Sequence, residues 1–260
     1  MKSRLSTPTS NKLIRLLLVL FLLLPSLSFA AAAARVGTGV TGTSGGSHVT
    51  SLAAAAKSTT AGNALFAWIK WENNVAPCVT SVTNTGGDTF TELADFSHGT
   101  GNEPAGSLYY ALNIAGNAAD VVTANFSCGA NLYNRIMVEE FSGIATASAT
   151  DGSVQTNTGT GTSYSTANIS TSQSGLVVMG VSGFTALSSW SGTPGTPDFS
   201  VGATESDCGI LYLISGSAQT VTPAASATGS DKWVAAAQAF KDTGGGGATT
   251  RNMMMMGVGQ

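Results

Sequence analysis

The chain has 260 residues, with 11 Lys and Arg, 14 Asp and Glu, and 32 glycines. So little charge excludes coiled coils and ordinary helical proteins, which carry Lys, Arg and Glu on solvated helix faces. Ser, Thr, Gly and Asn supply the polarity instead, and they suit strands and tight turns. We expect an all-β protein, a two-sheet antiparallel sandwich of jelly-roll type.

Residues 1–34 have the three parts of a secretory signal peptide. Four basic residues precede an apolar run at 16–24, and small residues follow it. Small-x-small triplets end at Ala30, Ala32 and Ala34, so three cleavage sites fit. The apolar run is short for a membrane span, which needs ~20 residues, and an uncleaved N-terminal anchor is the alternative. We expect a secreted or cell-surface protein without membrane association after cleavage.

Cleavage would make the mature chain distinctly acidic. The leader holds four of the 11 basic residues and none of the 14 acidic ones, which leaves seven basic against 14 acidic residues. Nucleic acids are bound chiefly through clustered Lys and Arg. The remaining basic residues are scattered, so we expect no nucleic-acid partner.

The mature chain alternates short apolar segments with turns. After an extended lead-in at 35–46, strands are predicted at 64–71, 78–82, 89–93, 107–114, 121–126 and 135–141. The turn Asn84–Asp88 predicts a hairpin between the second and third of them. A Ser/Thr/Gly-rich connection at 145–162 leads to further strands at 164–169, 175–181, 199–203, 209–214, 220–223 and 232–240.

The two sets of strands resemble each other in order and content. Leu65–Trp68 corresponds to Leu176–Met179, and Val138–Phe141 to Ala237–Phe240. We expect one sandwich domain over 47–242, with related halves 47–145 and 163–242 packed face to face. Two separate small sandwiches are the alternative, although each would bury a thin core.

Residues 243–260 form a Gly-rich linker and a Met-rich tail. The sequence of Met253–Met256 cannot span a membrane, but a soft apolar segment can dock onto another surface. The alternatives are a disordered end and a docking tag through which the chain forms a homo-oligomer.

Three cysteines meet an oxidising compartment after export, where one pair can form a disulfide. If strand 65–71 runs antiparallel to strand 135–141, the end of the first lies near the start of the second. That arrangement favours a Cys78–Cys128 bridge and leaves Cys208 buried and free, or available to a second chain. No CxxC or neighbouring His supports zinc.

Adjacent Glu139 and Glu140 on one strand point to opposite faces, so they cannot form the carboxylate pair of a glycosidase with each other. A buried Glu needs a partner, and Lys70 is the candidate for an ion pair. We therefore interpret Lys70 with Glu139 or Glu140 as a structural pair, with a ligand site at Lys70 and Glu140 as the alternative.

Exposed aromatic rings are the other site type, because flat rings stack on sugars. The pool is Trp68, Trp71, Tyr109, Tyr110, Tyr133 and Trp190. Trp190 lies in a Ser/Gly loop where no alternation buries it, so it is the leading candidate for a binding contact. Trp68 and Trp71 face opposite sides of one strand, and Tyr109 and Tyr110 face opposite sides of another. One member of each pair can therefore be open to a ligand, which makes Trp68 and Tyr109 further candidates.

Other chemistry has weaker support. His48 and His98 stand far apart, so no Ser-His-Asp or Cys-His set can be assembled. We expect no cofactor and assign no catalytic residue or metal ligand. Calcium is the alternative at four loop carboxylates among Gly, Ser and Thr, namely Asp88, Asp151, Asp207 and Asp231.

Several segments together resemble a class of secreted bacterial and phage-associated β-sandwich domains of unknown function: VTNTGGDTFT at 82–91, LYYALN at 108–113, VVTANFS at 121–127 and VEEFSG at 138–143. The resemblance implies an extracellular or surface module and transfers no catalytic residue.

We expect a secreted, non-enzymatic surface or adhesive module that binds glycan or protein. The alternatives are a structural subunit of an appendage or virion with a docking C-terminal tail, and a polysaccharide-active enzyme that uses Glu139 or Glu140.

Overall fold

The computed structural model describes residues 31–72, 76–129, 132–190 and 200–244, with the backbone alone at 188–190 and 200–203. These residues form β-strands and no helix, which confirms the all-β prediction. The leader at 1–30 and the tail from 245 lie outside the described residues.

The first half contains eleven strands among the described residues. They are β1 (Ala34–Arg35), β2 (Val40–Thr43), β3 (Ser51–Ala53), β4 (Lys57–Thr59), β5 (Ala64–Glu72), β6 (Val79–Asn84), β7 (Thr91–Ser97), β8 (Pro104–Ala111), β9 (Asn117–Asp120), β10 (Val122–Phe126) and β11 (Leu132–Ser142).

The described part of the second half contains eight strands. They are β12 (Thr150–Ser165), β13 (Ile169–Thr171), β14 (Gly175–Ser182), β15 (Leu187–Trp190), β16 (Ser200–Glu205), β17 (Cys208–Ser215), β18 (Gln219–Val221) and β19 (Ala224–Lys241).

The halves share one antiparallel pairing pattern. The large sheet of the first half runs β11-β5-β8-β7, and that of the second half runs β19-β14-β17-β16. The small pair β4–β9 corresponds to β13–β18, and the pairing of β10 with β3 and β6 corresponds to that of β19 with β12 and β15. The structure therefore shows the two related halves that the sequence predicts.

Among the described residues, three apolar cores hold the sheets together. A central core lies between the two large sheets and includes Phe66, Trp68, Phe141, Val178 and Phe240. A first outer core fills the space between the first large sheet and the sheet β3-β10-β6. A second outer core lies on the other face of the second large sheet. The two halves thus pack face to face, and each also has its own outer layer.

The central core fixes which residues of the two halves are equivalent. Val138–Phe141 and Ala237–Phe240 correspond as predicted, since Phe141 and Phe240 both lie in the central core. The predicted match of Trp68 with Met179 is wrong by one residue, because Met179 faces the second outer core. A slip of one residue along a strand moves every side chain to the other face of its sheet. Trp68 pairs with Met137 and Gly180 pairs with Ala236, which is the repeat equivalent of Met137. Gly180 is therefore the residue of the second half that is equivalent to Trp68.

The segment Asn84–Asp88 forms a turn but no hairpin, so that prediction is wrong. Strand β6 pairs with β10 in the outer sheet, whereas β7 pairs with β8 in the large sheet. The turn is held by side chains, since Asn84 Nδ2 donates to Asp88 (2.7 Å) and to Asp120 (2.8 Å). It therefore carries the chain from one layer to the other.

The predicted disulfide is present between Cys78 and Cys128, whose Cα atoms lie 5.2 Å apart. Strands β5 and β11 are antiparallel neighbours, with Trp68 opposite Met137, as the prediction required. Cys208 is a free, buried cysteine.

Candidate functional site

Most of the predicted ligand contacts lie inside the molecule. Trp68, Lys70 and Glu140 have no exposed surface, and Tyr109 is 4% exposed. Trp190 ends strand β15, where its backbone pairs with Ala225, and its side chain lies outside the described residues. The predicted residues are therefore spread over different layers and do not form one site.

Trp68 is the centre of the contact between the halves. Its ring lies between two glycines, since a Cβ atom on Gly106 would stand 2.2 Å from the ring and one on Gly180 would stand 2.1 Å from it. Its Nε1 donates to Ser182 Oγ at 2.8 Å. Both large sheets therefore pack against the Trp68 indole. Trp71, on the same strand, is also buried.

Lys70 sits in a buried ion cluster at one end of the central core. Its Nζ lies 2.6 Å from Glu72 Oε1 and 2.5 Å from Asp207 Oδ2. Arg135 Nε lies 3.0 Å from the other oxygen of Asp207, and the Arg135 guanidinium lies 3.6 Å from Glu205. Residues of both halves contribute, so the cluster ties the halves together.

The predicted pairing of Lys70 with Glu139 or Glu140 is wrong. The register places Glu139 opposite Phe66 and Arg135 opposite Lys70, so the two glutamates lie well along the strand from the ammonium group. Glu139 instead accepts two hydrogen bonds from Arg35, at 2.8 and 2.7 Å.

Glu140 faces the opposite side of its strand, as alternation predicts. Its Oε1 accepts from Asn63 Nδ2 at 2.7 Å and from the Thr60 amide at 2.9 Å, and its Oε2 lies 3.2 Å from Lys57 Nζ. Both glutamates are fully buried and paired, so neither is placed to act on a substrate.

Burial and neighbouring charges set the protonation states of the ion cluster and of the Cys208 thiol beside it. Burial opposes the charge on Lys70, but the neighbouring carboxylates of Asp207 and Glu72 raise its pKa above the ordinary value. Burial also raises the pKa of Glu72 and holds the pKa of Cys208 well above that of a free thiol. A protonated thiol is a poor nucleophile, so we assign this cluster a structural role.

A second group of acidic residues lies on edge strand β7. A register shift between Glu92 and Ala94 places Glu92 opposite Tyr109 and Asp95 opposite Ser107. Tyr109 and Ser107 share a face of β8, so the bulge brings both carboxyl groups to that face. Residues three apart in a regular strand would face opposite ways, and bulges often redirect side chains in this manner.

Glu92 and Asp95 lie in different environments. Tyr109 Oη donates to Glu92 Oε2 at 2.7 Å. Burial, with a smaller contribution from Glu92, raises the pKa of Asp95 to about 6, while the backbone amides of Cys78 and Val79 oppose the shift. Among the described residues, the buried Asp95 Oδ1 has no hydrogen-bond partner. Asp95 therefore keeps its proton to a higher pH than an ordinary aspartate, with Glu92 on the same face of the strand pair.

Tyr133 is the exposed aromatic residue of the described side chains, at 45% exposure, and Ile214 is the other large exposed apolar residue at 40%. Tyr133 lies at a register shift in β11 with a left-handed φ of 50°. Such backbone is costly for a residue with a side chain and clusters at functional sites.

A polar loop supports the Tyr133 ring. A Cβ atom on Gly46 would lie 3.4 Å from the ring, so the ring rests against this glycine. The loop is fixed to β11, because the Ser44 amide donates to the Asn134 carbonyl at 3.0 Å and Asn134 Nδ2 donates to Ser44 Oγ at 3.2 Å. The exposed ring is thus held in place beside hydroxyl and amide groups.

Sequence reasoning placed Tyr133 in the aromatic pool without selecting it, and it did not consider Glu92 and Asp95. The signal for Tyr133 is its position between Leu132 and Asn134 at the start of a strand, where asparagine breaks the alternation. No comparable signal marks the β7 bulge.

The four loop carboxylates considered for calcium serve as hydrogen-bond acceptors. Asp88 accepts from the Ala115 amide and Asp231 from the Phe184 amide. Asp151 accepts from Ser172, and Asp207 belongs to the ion cluster. Across the residues that the structure describes, no three His, Cys, Asp or Glu side chains group as metal ligands.

Scans against protein-family models and searches of curated proteins and solved structures find no significant match to this chain. In its described part, no helix has the length and hydropathy to cross a membrane.

Proposed function

We propose that this protein is a secreted, non-enzymatic surface module that binds glycan through Tyr133. The observation that carries the proposal is an aromatic ring held exposed on a left-handed backbone. A ring presented this way can stack on a sugar face, and the partly exposed Ser44 of the supporting loop can hydrogen-bond to its hydroxyl groups.

The surrounding architecture suits an extracellular binding role. The ring stands on a strand that pairs with both β2 and β5, so little conformational freedom is lost when a ligand binds. A disulfide and a leader sequence favour an oxidising compartment. The acidic mature chain favours neutral polysaccharide over polyanions.

A glycan array on the purified protein tests the proposal. We expect Tyr133→Ala to weaken binding to the positive glycans by about tenfold or more, equivalent to ~1.4 kcal/mol. Tyr133→Phe should keep most of the binding because it keeps the ring. Ile214→Ala is the matched control, since it removes the other large exposed apolar side chain. Unchanged binding by correctly folded Tyr133→Ala would exclude this site.

Polysaccharide hydrolysis is the second candidate, because Asp95 and Glu92 share a face and Asp95 has a pKa of about 6. A general acid needs a raised pKa of this kind beside a second carboxylate. In this role Asp95 would protonate the leaving oxygen. Release of reducing sugar that disappears in both Asp95→Asn and Glu92→Gln, but persists in Glu205→Gln, would favour the enzyme over the binding module.

A further inference from the structure

The residues that directly follow position 30 are part of the folded molecule. Ala33 is 5% exposed and belongs to the central core. Ala34 and Arg35 form β1, in register with Ser142 and Phe141 of β11. The Ala31 carbonyl accepts a hydrogen bond of 2.8 Å from Thr243 Oγ1, near the end of the described chain.

Gly143 is a second sign that the backbone at 31–32 packs against the rest of the fold. It has a left-handed φ of 73°, and a Cβ atom there would stand 2.3 Å from the Ala32 carbonyl oxygen. Any other residue at 143 would collide with this backbone. The fold therefore leaves space at Gly143 for the backbone of Ala31 and Ala32.

The three small-x-small triplets have different consequences for this segment. Cleavage after Ala34 would remove Ala33 from the core and half of β1. Cleavage after Ala32 would place a new α-ammonium group on Ala33, and burying an unpaired charge is costly. Cleavage after Ala30 would place that group on Ala31, which is exposed, and would keep every contact described above.

We propose that the leader is removed between Ala30 and Ala31, so that the mature protein begins at Ala31. The inference rests on the proposed secretion. A signal peptidase would recognise the small side chains of Ser28 and Ala30 at positions −3 and −1 of the cut. Water adds across the Ala30–Ala31 peptide bond, which leaves a carboxylate on Ala30 and an ammonium group on Ala31.

The test is the N-terminus of the protein secreted from the full 260-residue chain by a bacterial host, read by N-terminal sequencing and intact mass. We expect a product that begins at Ala31. A product that begins at Ala33 or Arg35 overturns the proposed cut alone. An uncleaved 260-residue product overturns both the cut and the proposed secretion.

Two variants sharpen the result. Ala30→Phe places a bulky side chain at −1 for the cut after Ala30 and at −3 for the cut after Ala32, so we expect the wild-type product to disappear. Ala34→Phe blocks only the third triplet, so its product should still begin at Ala31. The proposal is overturned if Ala30→Phe matures like the wild type or if Ala34→Phe does not.

A deletion tests the structural basis of the proposal. Removing Ala31–Ala34 from the precursor joins Ala30 to Arg35 and keeps a small residue at −1. We expect the secreted variant to unfold at least about 3 °C below the wild type, because Ala33 leaves the core and β1 is shortened. An equal unfolding temperature would show that the segment contributes nothing and would remove the ground for choosing among the triplets.

Discussion

At the scale of single residues, glycine determines how closely the two halves approach. Gly106 and Gly180 lie on the large sheets of different halves, and each has the Trp68 ring where its own side chain would stand. The abundance of glycine in the composition suggested turns alone. Two of these glycines instead lie inside buried strands, where they make room for the largest side chain of the core.

We expect Gly180→Ala to lower the free energy of unfolding by about 1–3 kcal/mol or more, because an added methyl group cannot be accommodated beside a fully buried indole. Urea denaturation followed by tryptophan fluorescence measures the loss. Gly216→Ala is the control, since a Cβ atom there meets nothing within 4 Å. Equal stability of the two variants would contradict the packing described for Trp68.

Asp95 gives a prediction with a defined sign in pH. Its folded-state pKa of about 6 lies above the unfolded value of 3.8, so the folded state binds the extra proton and loses stability as pH rises between these values. Asp95→Asn removes the charge. After a discount for partial exposure, we expect it to gain about 1 kcal/mol over the wild type at pH 7 and almost nothing at pH 4.

Calorimetry at the two pH values checks this, since 1 kcal/mol corresponds to roughly 2–4 °C in the unfolding temperature of a protein of this size. The same temperature difference between variant and wild type at pH 4 and pH 7 would show that Asp95 is not perturbed. Glu92→Gln should give a smaller difference, because Glu92 is a lesser cause of the shift than burial.

At the scale of strands, the sequence predicts the cores of long regular strands well and their irregularities poorly. The apolar run at 64–71 lies within β5, and Glu139 and Glu140 point to opposite faces as alternation requires. The bulges in β7 and β11 reverse that alternation locally. Because a bulge depends on the partner strand, the shared face of Glu92 and Asp95 and the outward position of Tyr133 could not be derived from the chain alone.

The predicted disulfide followed from the antiparallel order of β5 and β11, and its contribution is also set at this scale. The bridge joins residues 50 positions apart, so reducing it should increase the entropy of the unfolded chain. We expect Cys78→Ala with Cys128→Ala to lower stability by about 2–5 kcal/mol. Comparing its urea midpoint with that of the wild type, with and without reductant, measures the effect.

The reductant provides the internal control for the disulfide. The wild type should lose stability when it is reduced, whereas the double variant should be indifferent because Cys208 is already a free thiol. A double variant as stable as the oxidised wild type would show that the bridge has no constraining role.

At the scale of the whole molecule, the partners of Lys70 show where sequence reasoning fails. A buried lysine requires carboxylates, and the nearest candidates on neighbouring strands were Glu139 and Glu140. The acid that completes its pairing is Asp207, which lies 137 residues away in the other half. No periodicity relates these two positions, because the contact exists only after the large sheets stack.

We expect Lys70→Met to lower the free energy of unfolding by about 3–5 kcal/mol, because it leaves Glu72 and Asp207 buried with less compensation. Lys232→Met is the matched control, since it removes a half-exposed ammonium group that pairs with Glu103 and should cost less than about 1 kcal/mol. Chemical denaturation of both variants measures the difference. A cost for Lys70→Met no larger than for the control would show that the cluster does not join the halves.

The shared central core also sets the order in which the chain can complete its fold. Ribosomes make the first half while about a hundred residues are still to come, and synthesis at 5–20 residues per second leaves it waiting for several seconds. During that time the face of Phe66, Trp68 and Phe141 has no cover, because Phe240 is among the last core residues to be made. The central core is therefore completed only when synthesis is nearly finished, and under the secretion proposed above this delay would keep the chain open for passage through an export channel.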